Sequence, residues 1–202
     1  MMSANSVIKV LPHIKGLIFD CDGTLVDSMP LHMKAWEYAI TKAGAVWNYE
    51  FFYSKKGMES EDIVIAYNKQ FGTALEPRDT VRVKHEFFER HGSEFKPIEP
   101  VIEVVHRFKG ILPMAVASGG NRENVHAELN AIGVNGLFKA IVTADDNVIP
   151  KPDPGIFLEA AARIGVPQNL CQVFEDGDLG LEAARKAGMV ATDIRLFLDH
   201  PV

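Results

Sequence analysis

The chain has 202 residues, a length that suits one domain, or one domain with an insertion, and that is sufficient to bury a hydrophobic core. Apolar residues make up 47% of the chain and charged residues 24%, which excludes a disordered or fibrous protein. The net charge of −6, without a block rich in lysine and arginine, provides no electrostatic footprint for nucleic acid or an anionic membrane, so neither is expected as a partner.

Three further features concern the cellular compartment. No apolar run approaches the roughly 20 residues that cross a bilayer, and the first ten residues, MMSANSVIKV, lack the basic and apolar regions of a secretory signal. The cysteines, Cys21 and Cys171, lie in apolar segments without CxxC spacing, so we expect neither a disulfide framework nor a zinc site. We therefore expect a cytoplasmic protein, either a monomer or a weak homo-oligomer.

Short aliphatic runs alternate along the chain with amphipathic stretches. The runs predict buried strands at Gly16–Asp20, Leu112–Ser118, Lys139–Ala144, Cys171–Asp176 and Val190–Ile194. The stretches predict helices at Val101–Phe108, Arg122–Ile132, Pro154–Ile164 and Leu179–Ala187. This alternation predicts an α/β fold with a doubly wound parallel sheet, in which ligands bind beyond the carboxyl ends of the strands.

The interval between the first two predicted strands is much longer than the dozen or so residues of a simple crossover. Apolar residues at helical spacing run from Leu31 to Ala43, and further helix-like stretches occupy Glu59–Phe71 and Asp79–Arg90. The interval therefore predicts a small inserted helical domain, a cap.

The chain leaves and re-enters the core at recognisable positions. We expect residues 28–96 to form the helical cap, and residues 1–27 together with 97–202 to form the core domain. The re-entry segment KPIEP, Lys96–Pro100, is bounded by prolines and predicts a hinge or linker.

Two aspartates, Asp20 and Asp22, follow the first strand in GLIFDCDGTLVDS. Residues two apart in a strand face the same side, so the two carboxylates start close together. Two close carboxylates raise each other's pKa unless a cation or a hydrogen-bond donor lies between them. The pair therefore indicates a metal, a shared proton or a solvated turn, and turn chemistry alone would also explain Asp, Gly and Thr here.

Polar residues also follow three later strands. The second strand ends in SGGN with Ser118, KPDP with Lys151 follows the third, and the fourth ends in EDGD with Glu175 and Asp176. The carboxyl ends of parallel strands meet at one edge of a sheet, so we expect these side chains to lie together. The combination fits phosphoryl transfer better than four unrelated turns.

Each step of such a reaction has a candidate residue. Asp20 is predicted to be the nucleophile that attacks phosphorus, and Asp22 the general acid/base that protonates the leaving oxygen and then deprotonates water. Asp176 and Glu175 are predicted to hold Mg²⁺ against Asp20, since a hard cation with oxygen ligands neutralises the acidic cluster.

The phosphoryl oxygens need donors as well. Ser118, Lys151 and the backbone N–H groups of the Gly-rich turn are predicted to hold these oxygens in the transition state. Within that turn, Gly119 and Asn121 are assigned to substrate binding.

Two nearby acids are predicted to be structural. Asp153 precedes Pro154, which is the combination of an N-cap with proline at the first helical position. Asp178 precedes the helix predicted to start at Leu179, so an N-cap is favoured over a metal ligand.

These motifs resemble the haloacid dehalogenase superfamily, in its magnesium-dependent phosphatase and phosphomutase branch, over nearly the whole chain. DCDGTLVDS resembles the first family motif, Ser118 the second, Lys151 in KPDP the third, and FEDGDLGLEAARKAGM the fourth with its following helix. The first and fourth motifs are most similar to bacterial phosphatases of fructose 1-phosphate and 6-phosphogluconate, and next to β-phosphoglucomutase. The resemblance implies a Rossmann-like core with a helical cap.

The resemblance also implies how the metal is held. Asp20, Glu175 and Asp176 would bind Mg²⁺ through their carboxylates, and Asp22 through its backbone carbonyl. Gly177 stands where the family usually has serine or another small residue, and we expect little effect from this difference.

In the cap, the resemblance assigns substrate or gating roles to His32 and to the loop around Lys56 and Gly57, and a contact with the leaving group to Lys84. Each has a simpler interpretation, because a histidine on an amphipathic helix is commonly a packing residue and lysines are common on any surface.

Three functions compete. A sugar phosphatase and a phosphomutase would share an aspartyl-phosphate, whereas a receiver module would accept a phosphoryl group without being an enzyme. The cap argues against a receiver, which must expose its aspartate to a kinase, and a dehalogenase would not require the cation for which the acids provide.

The cap loop separates the first two functions. In β-phosphoglucomutase an arginine follows the lysine-glycine of this loop, but KKGMESED places Ser60 there, between Glu59 and Glu61. Because an acidic loop repels a second phosphate, the sequence predicts a Mg²⁺-dependent phosphatase of a small sugar monophosphate, with a β-phosphoglucomutase-type mutase as the alternative.

Overall fold

The computed structural model describes residues 7–55, 58, 60–92 and 95–198. Its contacts divide the chain into two units, Met1–Asp27 with Phe95–Val202, and Ser28–Glu94. We refer to them as the core unit and the cap unit.

Within the described residues the strands are β1 (Gly16–Phe19), β2 (Val26–Asp27), β3 (Lys96–Pro97), β4 (Met114–Ala117), β5 (Ala140–Val142), β6 (Cys171–Glu175) and β7 (Val190–Asp193). A sheet of order β5-β4-β1-β6-β7 forms the centre of the core unit, and all its pairs are parallel. The predicted fold class is confirmed, and each predicted strand is present although shorter than expected.

In the same part of the chain the helices are α1 (Met29–Lys42), α2 (Tyr49–Tyr53), α3 (Ser60–Phe71), α4 (Pro77–Arg90), α5 (Glu99–Phe108), α6 (Arg122–Ala131), α7 (Gly155–Ile164) and α8 (Asp178–Lys186). The predicted helices are present, with boundaries that differ by one or two residues. A further helix, α2, was not predicted, because it is too short to carry a recognisable period. No helix among the described residues is both long enough and apolar enough to span a membrane.

The central strands β1 and β4 are buried along their whole length, as expected for a parallel sheet that is covered by helices on both faces. Ile18 of β1 packs in a cluster with Phe157 of α7 and Ala183 of α8. Phe19 of β1 stacks on Phe174 of β6, with ring centroids 4.7 Å apart. This packing fixes the ends of β1 and β6 next to each other.

Within the segment predicted as a hinge or linker, Lys96–Pro97 form β3 and Glu99–Pro100 begin α5. β3 pairs antiparallel with β2, and Asp27 lies opposite Lys96. The Ile98 N–H also donates to the Leu25 carbonyl at 3.0 Å. The two chain segments that lead to and from the cap unit are therefore joined by backbone hydrogen bonds.

The cap unit has a hydrophobic cluster of its own, rich in aromatic residues. Phe51 and Phe52 of α2 lie within it with Trp36 of α1 and Tyr67 of α3. The Tyr67 hydroxyl donates to the Val46 carbonyl, so its polar end is satisfied within the same unit.

Both helix caps predicted at acids are wrong by one residue. Pro154, not Asp153, is the N-cap of α7, and Asp153 Oδ1 accepts a hydrogen bond of 2.8 Å from the Gly155 N–H. Gly177 is the N-cap of α8, and Asp178 is the first residue of that helix. The carboxylates still lie where negative charge favours a helix start.

Candidate active site

The site lies where the strand order reverses, at the carboxyl ends of β1 and β6. Chain order runs outward from β1 to β4 and β5 and resumes on the other side with β6, so this edge is a topological switch point, the usual ligand position in such sheets. Phe19 is in register with Phe174, and the Asp20 N–H donates to the Phe174 carbonyl at 3.0 Å. Asp20 is therefore held beside Glu175, the last residue of β6.

Lys151 bridges these two acids from the loop between β5 and α7. Its Nζ lies 2.6 Å from Asp20 Oδ1 and 3.3 Å from Glu175 Oε1. Asp20 is 6% exposed and Glu175 4% exposed, so the interactions are little screened by water. The Lys151 Nζ also lies 5.1 Å from the ring centroid of Phe157. One cation thus serves two buried carboxylates.

Asp176 completes an acidic cluster with these residues. Carboxylate oxygens of Asp20, Glu175 and Asp176 all lie within 4.8 Å of one another. The Thr24 hydroxyl donates to Asp176 Oδ1 at 2.9 Å. Gly23 has a φ of +79°, and a Cβ there would lie 2.5 Å from Asp176 Oδ2. In the turn after β1, Gly23 therefore leaves room for the Asp176 side chain, and Thr24 orients it.

The pKa values of Asp20, Glu175 and Lys151 are all raised in the cluster. Burial raises the pKa of Asp20 well above its usual value and Glu175 raises it further, although Lys151 opposes them. Burial also raises the pKa of Glu175, again against Lys151. Burial alone would lower the pKa of Lys151, but Asp20 and Glu175 outweigh it and raise that pKa. Burial and the repulsion between the acids together outweigh the one lysine.

This arrangement fits a divalent cation. Asp20, Glu175 and Asp176 offer oxygen ligands only, which suits a hard ion such as Mg²⁺. A second positive charge would also offset the repulsion that Lys151 leaves. The cluster could therefore hold a metal ion with the residues present.

The Gly-rich turn after β4 borders the same edge of the sheet. Ser118 is 1% exposed, and its Oγ accepts a hydrogen bond of 3.0 Å from the Gly120 N–H. Ser118 Oγ lies 3.2 Å, and Asp22 Oδ2 3.7 Å, from the point that a Cβ on Gly120 would occupy. The structure therefore brings Asp22 and Ser118 together. Gly119 is exposed, and the Asn121 side chain caps the start of α6.

A residue that was not predicted, Glu128, adjoins the site from α6. Glu128 is 2% exposed, and the Cys21 thiol donates to its Oε2 at 3.2 Å. Burial, and next the charge of Asp22, raise the pKa of Glu128 to about 9, and a side-chain hydrogen bond with Asp22 adds to the shift. Glu128 is thus a buried carboxyl group in contact with both residues that follow Asp20.

Comparison with known proteins identifies the family. Residues 14–188 match the description of a haloacid dehalogenase-like hydrolase, which is most of the chain. The chain belongs to this family. The predicted family and the prediction of a hydrolase are therefore confirmed.

Among the relatives of this hydrolase is the fructose-1-phosphate phosphatase YqaB of Escherichia coli K12, 36% identical over 90% of this chain and 96% of the relative. The β-phosphoglucomutase of Bacillus subtilis is 26% identical over 90% of this chain and 83% of its own length. A haloacid dehalogenase-like protein of unknown function from Agrobacterium tumefaciens has a solved structure with a TM-score of 0.76 and 26% identity, covering 89% of this chain and 82% of that one.

The cap unit of this hydrolase brings together two of the residues predicted to bind substrate. His32 stacks on Phe88 with ring centroids 4.3 Å apart, and the Nζ of Lys84 lies 5.4 Å from the centroid of the same ring. Lys84 is 6% exposed, which is unusual for a lysine. The other two substrate-binding residues predicted in the cap, Lys56 and Gly57, lie outside the described residues.

The sequence carried signals for residues that the prediction missed. Thr24 belongs to the DGT turn, but its hydrogen bond to Asp176 depends on a strand far away in sequence. Glu128 lies three residues after Val125 and directly before Leu129, both buried, so a charged residue on the apolar face of α6 was visible in the pattern. Its partners could not be read from α6 alone.

Proposed function

We propose that this hydrolase cleaves the phosphate monoester of a small sugar with the help of Mg²⁺, through a phosphoryl group carried on Asp20. The observation that carries the proposal is the buried Asp20 carboxylate, held by Lys151 at 2.6 Å within an acidic cluster. A carboxylate fixed in this way at the end of a strand is an oriented nucleophile.

The first half-reaction moves the phosphoryl group to Asp20. A bond forms between an Asp20 carboxylate oxygen and phosphorus while the bond from phosphorus to the sugar oxygen breaks, and Asp22 gives that oxygen a proton. Lys151 holds Asp20 in place, and Lys151 and Ser118 stabilise the charge on the phosphoryl oxygens. When bound, Mg²⁺ supplies further charge neutralisation at Asp20, Glu175 and Asp176.

The second half-reaction regenerates the enzyme. Asp22, now ionised, takes a proton from water as that water attacks phosphorus. The bond between Asp20 and phosphorus then breaks, which releases inorganic phosphate and restores both carboxyl groups to their starting states.

The substrate class is proposed from likeness. The Escherichia coli relative, at 36% identity, is named a fructose-1-phosphate phosphatase. We assign this chain a sugar monophosphate of the same kind, fructose 1-phosphate or 6-phosphogluconate.

A mutase is the second candidate, because the Bacillus subtilis relative is a β-phosphoglucomutase. A mutase must bind a second phosphate at the far end of its substrate. The cap loop here has Ser60 where the mutase resemblance would require an arginine, and Glu61 follows it. A serine and a carboxylate give no bidentate site for phosphate, so the loop favours hydrolysis.

A panel of phosphorylated sugars tests the proposal by the phosphate released in the presence of Mg²⁺, with Asp20→Asn as the blank for contaminating phosphatases. We expect the highest kcat/KM for fructose 1-phosphate or 6-phosphogluconate. Release of phosphate from no member of the panel, or equal release by Asp20→Asn, would refute the proposal.

The mutase alternative needs its own assay. β-Glucose 1-phosphate is supplied with catalytic glucose 1,6-bisphosphate, and glucose 6-phosphate and free phosphate are followed together. Hydrolysis predicts that phosphate release exceeds isomerisation, and the reverse would establish a mutase.

A further inference from the structure

Glu128 places a carboxyl group in the apolar interior, against the loop that carries the catalytic aspartates. It is 2% exposed on α6, with Val125 and Leu129 buried on the same side of the helix. Burying a carboxyl group costs free energy unless its polar atoms are hydrogen-bonded. Its partners are Cys21, whose Sγ donates to Oε2 at 3.2 Å, and Asp22.

The two partners of Glu128 are the predicted general acid, Asp22, and the residue before it, Cys21. Cys21 lies between Asp20 and Asp22 in sequence, so the hydrogen bond from its thiol ties Glu128 to the backbone of this loop. The second contact of Glu128 is with the carboxylate of Asp22 itself. Together they link the side chain of Asp22 to α6.

We propose that Glu128 is a positioning residue that orients the carboxyl group of Asp22 for proton transfer to the leaving sugar oxygen. The proposal rests on the proposed function, because it assigns Glu128 to the half-reaction in which Asp22 acts as the acid. In this role Glu128 acts through Asp22 and takes no part in the bond-making steps itself. A glutamine could accept from Cys21 through its carbonyl oxygen and donate to Asp22 through its amide.

The choice of leaving group separates this role from a structural one. A sugar alkoxide is a poor leaving group and needs the proton, whereas p-nitrophenolate leaves as a stabilised anion. The ratio kcat/KM reports only the steps up to departure of the leaving group. Misorientation of Asp22 should therefore lower kcat/KM for a sugar phosphate and leave that for p-nitrophenyl phosphate nearly unchanged.

The test compares Glu128→Leu and Glu128→Gln with the wild-type enzyme on fructose 1-phosphate and p-nitrophenyl phosphate. Glu123→Leu makes the same change at an exposed position of α6 and serves as the matched control. Thermal unfolding is followed for every variant, and Glu128→Met replaces the leucine variant if that does not fold.

For Glu128→Leu we expect kcat/KM on fructose 1-phosphate to fall by about 10- to 100-fold, a part of the roughly 10²–10⁴-fold that proton transfer contributes. Glu128→Gln should retain most of the activity, and Glu123→Leu all of it. Equal losses on both substrates, no loss in Glu128→Leu, or a glutamine variant as impaired as the leucine variant would each overturn the proposal. A wild-type enzyme inactive on both substrates would refute the proposed function itself.

Discussion

The pKa values of the acids at two places in the core unit are shifted in opposite directions. Asp146, after β5, accepts hydrogen bonds from Arg122 and Arg163 at 2.7 and 2.9 Å. Burial acts to raise the pKa of Asp146, but the Thr143 backbone and the two arginines outweigh it and lower the pKa to about 2. In the candidate active site the balance is reversed, because burial and then Glu175 raise the pKa of Asp20 despite Lys151.

The difference lies first in burial, which does most to raise the pKa of Asp20, and then in charge, because Asp20 has Glu175 beside it whereas Asp146 has two arginines. Asp146 pairs with two guanidinium groups, of which that of Arg163 is shared with Glu159, so its charge stabilises the fold. Asp20, Glu175 and Asp176 lie together, and the ion pairs described for Asp20 and Glu175 are with Lys151. A surplus of buried negative charge costs stability, and it indicates a site whose remaining positive charge comes from a ligand.

The largest effect is expected for Asp20→Asn. An amide is a poor nucleophile, so turnover should fall to the rate measured without enzyme. Because the pKa of Asp20 is raised in the fold, the neutral side chain should also raise the unfolding midpoint in chelator near pH 7. Residual turnover in a cleanly purified sample would contradict the assignment of Asp20 as the nucleophile. A lowered unfolding midpoint would contradict the conclusion that the charge of Asp20, unlike that of Asp146, destabilises the fold.

Lys151→Ala should follow in size. It removes the cation that holds Asp20 and Glu175, so kcat/KM should fall by about 2.7–4 kcal/mol in transition-state terms. Ser118→Ala removes a neutral hydroxyl and should cost less. Steady-state kinetics of the two variants provide the check, and a larger loss for Ser118→Ala would reverse the ranking.

Gly180→Ala tests how the cluster is shaped. A Cβ on Gly180 would overlap the Glu175 carboxylate, so that side chain must move. We expect activity to fall by about 10- to 100-fold, as for other groups that orient metal ligands. Gly136→Ala is the control, because nothing lies within 4 Å of its Cβ position. Equal activity of both variants would show that the position of Glu175 is not critical.

Asp146→Asn should have the smallest effect on activity and a clear effect on stability. The unfolding free energy at pH 7 should fall by about 1–3 kcal/mol, since charged hydrogen bonds are lost. The pKa of Asp146 is lowered from 3.8 to about 2, so its stabilisation is present above pH 3.8 and is lost as pH falls through 2. The gap between wild type and variant should narrow over that range, and a constant gap would contradict the ion-pair explanation.

The sheet could be predicted from the sequence because short apolar runs separated by amphipathic helices have few other solutions. Parallel strands bring their carboxyl ends to one edge, so the proximity of Asp20, Glu175 and Lys151 follows from the fold. The β2–β3 pair could not be foreseen, since two-residue strands carry no period and their pairing depends on chain segments far apart.

The role of Glu128 lay beyond the sequence for a related reason. Its position on the apolar face of α6 marks it as unusual, but its contacts with Cys21 and Asp22 arise from packing between α6 and the loop after β1. The two misplaced helix caps show the same limit, because Pro154 and Gly177 lie beside the predicted acids and local geometry decides between neighbours.

Titration with Mg²⁺ while following thermal unfolding, without substrate, tests most directly whether the surplus charge marks a cation site. Wild type, Asp176→Asn and Asp146→Asn are compared. A ligand that binds only the folded state raises the midpoint as its concentration rises. The unfolding midpoint should therefore rise with Mg²⁺ for wild type and Asp146→Asn, and EDTA should abolish this rise in both. For Asp176→Asn the midpoint should stay nearly constant. A wild-type protein indifferent to Mg²⁺, or an Asp176→Asn variant that responds as wild type does, would contradict the account.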